Sequence, residues 1–277
     1  MITLKEILDD TEKGYAIGQF NVHNLEYVQG VVEAARATQS PVIIGITERP
    51  LRYYGINYLV NTVKAAEKNC SVPLCLHLDH GDNLAVVFEC IEAGFSSVMY
   101  DGSHLSLEDN IQNTKLVVKR AKEYGIYAEA ELGELQGIED GKESTGSTLT
   151  APDEAEYFVK ETGISALAVA IGTAHGFYSG EPKLDFERLK AIRDRVDIPL
   201  VLHGGSGVPE KSIKKAIKIG ISKVNVGTEL KVAFNNGIKS VWEENPEEIE
   251  CTVIMGAARE GVKEKVIEKI NLFRSNL

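Results

Sequence analysis

Four groups able to carry protons or bind metal crowd into one short stretch, Leu76-His77-Leu78-Asp79-His80-Gly81-Asp82. It directly follows Pro73-Leu74-Cys75, an apolar run that reads as a buried strand. A core strand does not bury such groups without partners, so this one is expected to emerge at a working face. Two more histidines follow other apolar runs: His175 after Ala166–Gly172 and His203 at the end of Leu200–His203. Three imidazoles with an open position suit catalytic zinc, although imidazole alone also admits cobalt, iron or nickel. A further carboxylate follows each of two other runs, Asp101 and Glu131, with His104 and Glu134 close behind them.

Gly204-Gly205-Ser206-Gly207 precedes Val208-Pro209 and a helical stretch, Glu210–Lys218. Such a turn exposes backbone N–H groups, and a helix start favours an anion. Asn225-Val226-Gly227-Thr228 forms a second set of donors where another strand feeds a helix. Adjacent donor loops of this kind fit a phosphate group.

These groups need a scaffold that brings distant strand ends together. Candidate strands are Ala16–Val22, Val42–Thr47, Leu74–His80, Ser97–Asp101, Tyr127–Gly133, Ala166–Gly172, Leu200–His203 and Lys223–Val226. Each is followed by an amphipathic stretch, such as the stripe Leu25, Val28, Val32, Ala35. Ser106 and Asp109 have capping-box spacing for a helix over Glu108–Glu123, closed by Gly125. Eight strand-then-helix units predict a parallel sheet closed as a (β/α)8 TIM barrel, a single domain over residues 1–277. A short helix near Leu4–Asp9 is expected to cover the bottom, and Arg259–Phe273 reads as an extra C-terminal helix without a strand before it. The long connections Glu134–Thr150 and Thr173–Lys183 exceed the usual loop length of about 12–15 residues and fall on the face where barrel active sites form.

Composition narrows the partners. A formal net charge of -11 argues against nucleic acid or an anionic membrane. No apolar run approaches the about 18–20 residues of a membrane helix. The N-terminus lacks a signal-peptide core, and Cys70, Cys75, Cys90 and Cys251 form no C-x-x-C pair, so reduced thiols in a cytoplasmic protein are expected.

From Gly18-Gln19-Phe20-Asn21-Val22 to Ala258-Arg259-Glu260 the motifs resemble the class II, metal-dependent ketose-bisphosphate aldolases. The carriers are the Leu76–Gly81 stretch, Ala93-Gly94-Phe95-Ser96-Ser97-Val98-Met99, Glu129-Ala130-Glu131-Leu132-Gly133 and the His175 and His203 segments. The resemblance implies a reversible cleavage of a ketose 1,6-bisphosphate into dihydroxyacetone phosphate and glyceraldehyde 3-phosphate. Fructose 1,6-bisphosphate comes first, then tagatose 1,6-bisphosphate, then 2-deoxy-5-keto-gluconate 6-phosphate. It implies His80, His175 and His203 as zinc ligands, and Asp101 and Glu131 as a second metal position. Asp79 resembles the acid/base for the C4 hydroxyl, and Glu139 the mobile carboxylate serving the dihydroxyacetone phosphate half. Gly176, Gly204, Gly205, Ser206 and Asn225, Val226, Gly227, Thr228 match the phosphate site, Asn21 and Thr47 match substrate-hydroxyl contacts, and Arg259 an arginine reaching a neighbouring active site. A sodium or potassium ion near the phosphate and a homodimer or homotetramer are implied as well.

Other readings make different demands. A Schiff-base aldolase needs a lysine at the barrel mouth, and Ala166–Gly172 has none, while Lys223 stands at the start of its strand. A phosphosugar isomerase or epimerase would give no triose, and a phosphosugar sensor would bind without turnover. His77 shares a strand face with Asp79 and is expected to support the site without binding metal; His23 and His104 are expected as polar strand-end residues. Arg49 and Asp82 depart from the family's small residues and bear on sugar specificity.

Overall fold

The protein is described by a computed structural model covering residues 1–9, 14–139, 141–144, 146, 148–178 and 180–274, without the side chains of 139, 142 and 143. The chain opens with α1 (Leu4–Leu8), β1 (Ile17–Asn21), α2 (Leu25–Thr38) and β2 (Val42–Ile46). It continues through α3 (Glu48–Tyr54), α4 (Ile56–Glu67), β3 (Leu74–Gly81), α5 (Leu84–Ala93), β4 (Ser97–Tyr100) and α6 (Leu107–Glu123). Then come β5 (Tyr127–Leu132), β6 (Gln136–Glu139), β7 (Lys142–Ser144), α7 (Pro152–Thr162), β8 (Ala166–Val169) and β9 (Ala174–His175). The last part is α8 (Phe186–Arg193), β10 (Leu200–Leu202), α9 (Glu210–Ile219), β11 (Ile221–Val226), α10 (Thr228–Glu244) and α11 (Cys251–Phe273).

Eight strands close in the order β1-β11-β10-β8-β5-β4-β3-β2, every neighbouring pair parallel. This is the expected TIM barrel, with strands buried on both faces because helices cover them outside and side chains fill them inside. Strand residues Ile44, Leu76, Val98, Leu167 and Leu202 join helix residues Val28, Val63, Val117 and Ile213 in the outer core. At the bottom, α1 inserts Leu4, Ile7 and Leu8 against Ile17, Ile43, Cys75 and Val201, closing the barrel with its own small core. Thr3 and Glu6 form the capping box that starts this one-and-a-half-turn helix.

Three expectations are revised. First, the connections after β5 and β8 are partly strands: β6 pairs antiparallel with β7 and parallel with β9, forming a three-stranded sheet above the barrel mouth. Its strands have two to four residues and carry Gly137 and an exposed Ile138, so no apolar alternation marks them. Second, the C-terminal helix begins at Cys251, eight residues before Arg259, where the Glu250 side chain accepts from Thr252 N–H. Ile254, Ala258, Val262, Val266, Ile270 and Phe273 are buried, and the helix packs on α2 and α10 of the same chain. Small residues permit this: a Cβ on Gly237 would meet the Ala257 carbonyl at 2.4 Å, and one on Gly30 the Arg259 carbonyl at 2.9 Å. Third, Leu25 leaves its stripe half exposed, and Val31 takes its place in the buried face. The Ser106 cap forms as expected, accepting from Asp109 N–H at 3.2 Å.

Candidate active site

Asp79 and His80 are neighbours on β3, and a regular strand would send them to opposite faces. Instead His80 adopts the left-handed region at φ 49, and the β3–β4 register shifts between Leu78 and Gly81. That local distortion turns both side chains into the barrel mouth, a form of backbone strain found at functional sites. His175 arrives on β9, which β6 holds; Gly137 of β6 lies so close that a Cβ there would sit 2.1 Å from the His175 carbonyl oxygen. His203 follows β10 directly.

The three rings meet. Their centroids lie 4.7 Å (His80–His175), 4.6 Å (His80–His203) and 6.1 Å (His175–His203) apart. One nitrogen from each falls within 4.8 Å of the others, and His80, Asp101 and Glu131 form a second such group. His80 Nδ1 is 2.7 Å from Asp101 Oδ2, and His203 Nε2 is 3.2 Å from Glu129 Oε1. Both carboxylates accept, so these ring nitrogens carry hydrogens. The inner nitrogens, His80 Nε2 and His203 Nδ1, face each other at 2.8 Å, where a proton on the charged His80 is shared with the His203 lone pair and a bound cation would take that proton's place. A divalent ion fits this donor set: neutral imidazoles inward, carboxylates on the outer nitrogens.

Electrostatics agree with that fit. Burial, then the neighbouring His80, holds His175 and His203 below the ordinary histidine range. Burial also works against a charge on His80, but Asp79 and Asp101 outweigh it and raise His80 well above that range, so one positive charge is concentrated in the cluster. Burial and the nearby Asp101 push Glu131 well above the usual carboxylate range, and its buried Oε2 lacks a hydrogen-bond partner. Glu131 Oε2 stands 3.5 Å from His203 Nδ1 and 3.8 Å from His80 Nδ1, where a cation would supply the missing charge.

Asp79 is pinned at both oxygens. Asn225 Nδ2 donates to Oδ1 at 3.0 Å and Asn21 Nδ2 donates to Oδ2 at 2.8 Å. Burial alone would raise this carboxyl, yet His80, His203, Lys223 and His77 together hold it far below its usual range. Asp79 is therefore an ionised, oriented base beside the cluster.

The cleft is lined by Asn21, Asp79, His80, His175, Gly176, Gly204, Ser206, Asn225, Gly227 and Thr228, each a residue singled out from the sequence. The start of α10 faces it: Gly227 is its N-cap and has no side chain to cap it, while Ser206 Oγ accepts from the first-turn Glu229 N–H at 3.2 Å and the Gly227 carbonyl from Leu230 N–H at 3.0 Å. Gly204 sits at φ +65, where a Cβ would meet the Ala174 carbonyl at 2.3 Å. Gly205 N–H donates to the Asn225 carbonyl at 3.1 Å and Gly207 N–H to Glu229 Oε1 at 2.6 Å. Their N–H groups are thus spoken for, and Gly205 contributes close packing on β11 in place of a phosphate contact. Val226 is a buried strand residue of the outer core.

Other expected residues lie apart. Thr47 is buried as the N-cap of α3, its hydroxyl without a hydrogen-bond partner. Arg259 lies outside the cleft on α11, its Nη1 3.3 Å from Gln29 Oε1 and its Nε 3.8 Å from Glu33 Oε1. Glu139 ends β6, and its side chain lies outside the described residues. His77 is buried with Nδ1 at 2.9 Å from Ser97 Oγ and belongs to neither of the two groups that could hold a cation. Arg49 is exposed on α3, with Nη1 3.1 Å from where a Gly141 Cβ would stand.

Three contributors escaped the sequence reading. Glu129 and Lys223 form a fully buried pair behind His203, and Tyr178 OH bridges Ala174 N–H at 2.9 Å and the Gly204 carbonyl at 2.8 Å. Spacing held a clue to the pair: Glu129 lies two residues before Glu131, and Lys223 two before Asn225, so each shares a barrel-interior face with a residue already singled out.

A closed parallel barrel thus gathers three histidines and one aspartate beside the start of α10, a donor set that fits a divalent cation. The chain matches the family described as "Fructose-bisphosphate aldolase class-II" over residues 2–276, and it belongs to that family of aldolases, which are carbon–carbon lyases. It is 42% identical over 280 residues to the fructose-bisphosphate aldolase of Geobacillus stearothermophilus, covering 100% of this chain and 98% of that one. The fructose-bisphosphate aldolase of Staphylococcus aureus (strain N315) is also 42% identical, with 99% and 97% covered. Among solved structures, the YdjI aldolase from Escherichia coli K12 superposes with a TM-score of 0.87 at 36% identity, covering 100% of this chain and 98% of that chain. Fructose-bisphosphate aldolase from Campylobacter jejuni gives 0.83 at 26% identity, covering 98% and 93%.

Proposed function

We propose that this protein is a zinc-dependent fructose-1,6-bisphosphate aldolase, cleaving its substrate reversibly to dihydroxyacetone phosphate and glyceraldehyde 3-phosphate. The convergence of His80, His175 and His203 beside a pinned, ionised Asp79 carries this reading. A divalent cation held by those rings supplies Lewis-acid stabilisation of the negative charge left on the dihydroxyacetone phosphate half.

This chain's own groups do the rest. Asp79 takes the proton of the C4 hydroxyl as the C3–C4 bond breaks, and Asn21 and Asn225 keep it oriented for that transfer. Glu139 returns a proton to the dihydroxyacetone phosphate half from the hairpin β6–β7. Gly204, Ser206, Gly176 and the start of α10 bind the phosphate and fix the position of the reacting bond. Asp101 and Glu131 offer a second resting place for the cation, and a sodium or potassium ion accompanies the phosphate. The reading extends to a single domain, a glycolytic role in the cytoplasm and a homo-oligomer in which Arg259 serves an adjacent site.

The test is cleavage of fructose and tagatose 1,6-bisphosphates side by side, with metal analysis before and after prolonged chelation. Triose formation from fructose bisphosphate, lost on chelation and regained with zinc, is expected. Turnover that survives chelation would remove the metal mechanism, and faster cleavage of tagatose bisphosphate would reassign the sugar.

A further inference from the structure

Inside the barrel, behind the cleft, lies a charged pair that neither lines the cleft nor faces solvent. Lys223 and Glu129 are both completely buried, with Lys223 Nζ 2.9 and 2.8 Å from the two Glu129 oxygens. Removing two charges from water costs several kcal/mol per ion before their attraction offsets it. Lys223 is no nucleophile here, since it is held between both carboxylate oxygens and does not line the cleft.

Besides His77 Nε2, which stands 3.8 Å from Glu129 Oε2, the pair reaches one residue of the histidine cluster. Glu129 Oε1 accepts from His203 Nε2 at 3.2 Å, on the ring edge opposite the nitrogen that faces His80. His80 is held in the same way by Asp101, and Asp101 is itself fixed by Ser103 Oγ at 2.7 Å. Lys223 plays for Glu129 the part that Ser103 plays for Asp101. We propose that Lys223 and Glu129 are a positioning pair: Lys223 fixes the carboxylate, and the carboxylate fixes the His203 ring with Nδ1 turned to the cation site. This rests on His203 being a cation ligand. Groups in this position beyond the ligands change metal affinity by about 10–100-fold when lost.

Two double variants separate positioning from mere support, because each removes both charges and leaves no buried ion alone. Lys223→Met with Glu129→Gln keeps an amide oxygen that accepts from His203 Nε2; Lys223→Met with Glu129→Leu keeps none. Zn2+ affinity is measured by competition with a chromophoric chelator, ligand geometry by the Co2+ absorption spectrum, and folding by the thermal midpoint after chelation. The leucine double is expected to bind Zn2+ about 10–100-fold more weakly with an altered Co2+ spectrum, while the glutamine double stays close to wild type. Equal Zn2+ affinity in both doubles, whether retained or lost, would overturn the proposal. If the leucine double does not fold, Lys223→Met alone decides: a changed Co2+ spectrum supports the pair and an unchanged one overturns it. Wild-type protein that binds neither ion would overturn the cation site itself, a result distinct from any in the variants.

Discussion

Asp79 has an amide donor on each carboxylate oxygen, so asparagine in its place keeps the volume and removes the base, while one facing amide must rotate to present its oxygen to the new NH2 group. Asp79→Asn is expected to lower kcat by about 10²–10⁴-fold with zinc content unchanged, read by steady-state cleavage and metal analysis. Glu139→Gln is expected to slow proton exchange on dihydroxyacetone phosphate more than it slows triose release; equal slowing of both would remove its assigned role. The histidines also set a pH dependence. His77 is pushed down to about 3 from 6.5, first by burial and then by Lys223, and His175 and His203 are lowered too. Below the unfolded value of 6.5 the unfolded chain binds protons that these native rings refuse, so stability falls as pH falls. His80 has the opposite sign: its contribution is fully present below 6.5 and is lost only as pH rises through its raised native value. Urea unfolding of chelated protein should therefore show lower stability at about pH 5.5 than at about pH 6.5, and no difference would contradict the neutral burial of these rings.

At the scale of elements, β3 and the sheet β6-β7-β9 set the site. The barrel strands were legible in the sequence because strands buried on both faces stand out as apolar runs, and His203 and Asp101 sit where those runs end. Two features were not legible. The left-handed turn at His80 is uncommon for any residue but glycine and leaves no mark in the strand's alternation, which alone misplaces Asp79 against His80. The sheet over the mouth rests on short strands held by long-range pairing, such as Gly137 with His175, which leaves no local pattern. Asn21 and Asn225 were marked for substrate and phosphate, and only the folded barrel shows both amides meeting on Asp79. Because Gly137 stands at φ +117 against His175, Gly137→Ala is expected to displace that ring. Weakened zinc binding with a thermal midpoint near wild type after chelation is the expected result, since the small sheet lies outside the barrel core; unchanged zinc affinity would show that β6 does not set His175.

At the scale of the whole molecule, a closed parallel barrel brings residues from β3, the segment after β8 and β10 to one point, and α1 seals the other end. The outward position of Arg259 on α11 bears on assembly, because it lies apart from its own chain's cleft. If it completes an adjacent site, mixing Asp79→Asn with Arg259→Gln chains should restore about a quarter of wild-type activity through hybrid dimers with one intact site, whereas independent sites restore none. The most direct measurement on the central claim is anomalous diffraction at the zinc edge from zinc-loaded crystals. The expected result is one peak per chain bonded to nitrogens of His80, His175 and His203 at about 2.0–2.1 Å. A peak elsewhere, or one that leaves any of those three rings unbound in every position the ion takes, would contradict it.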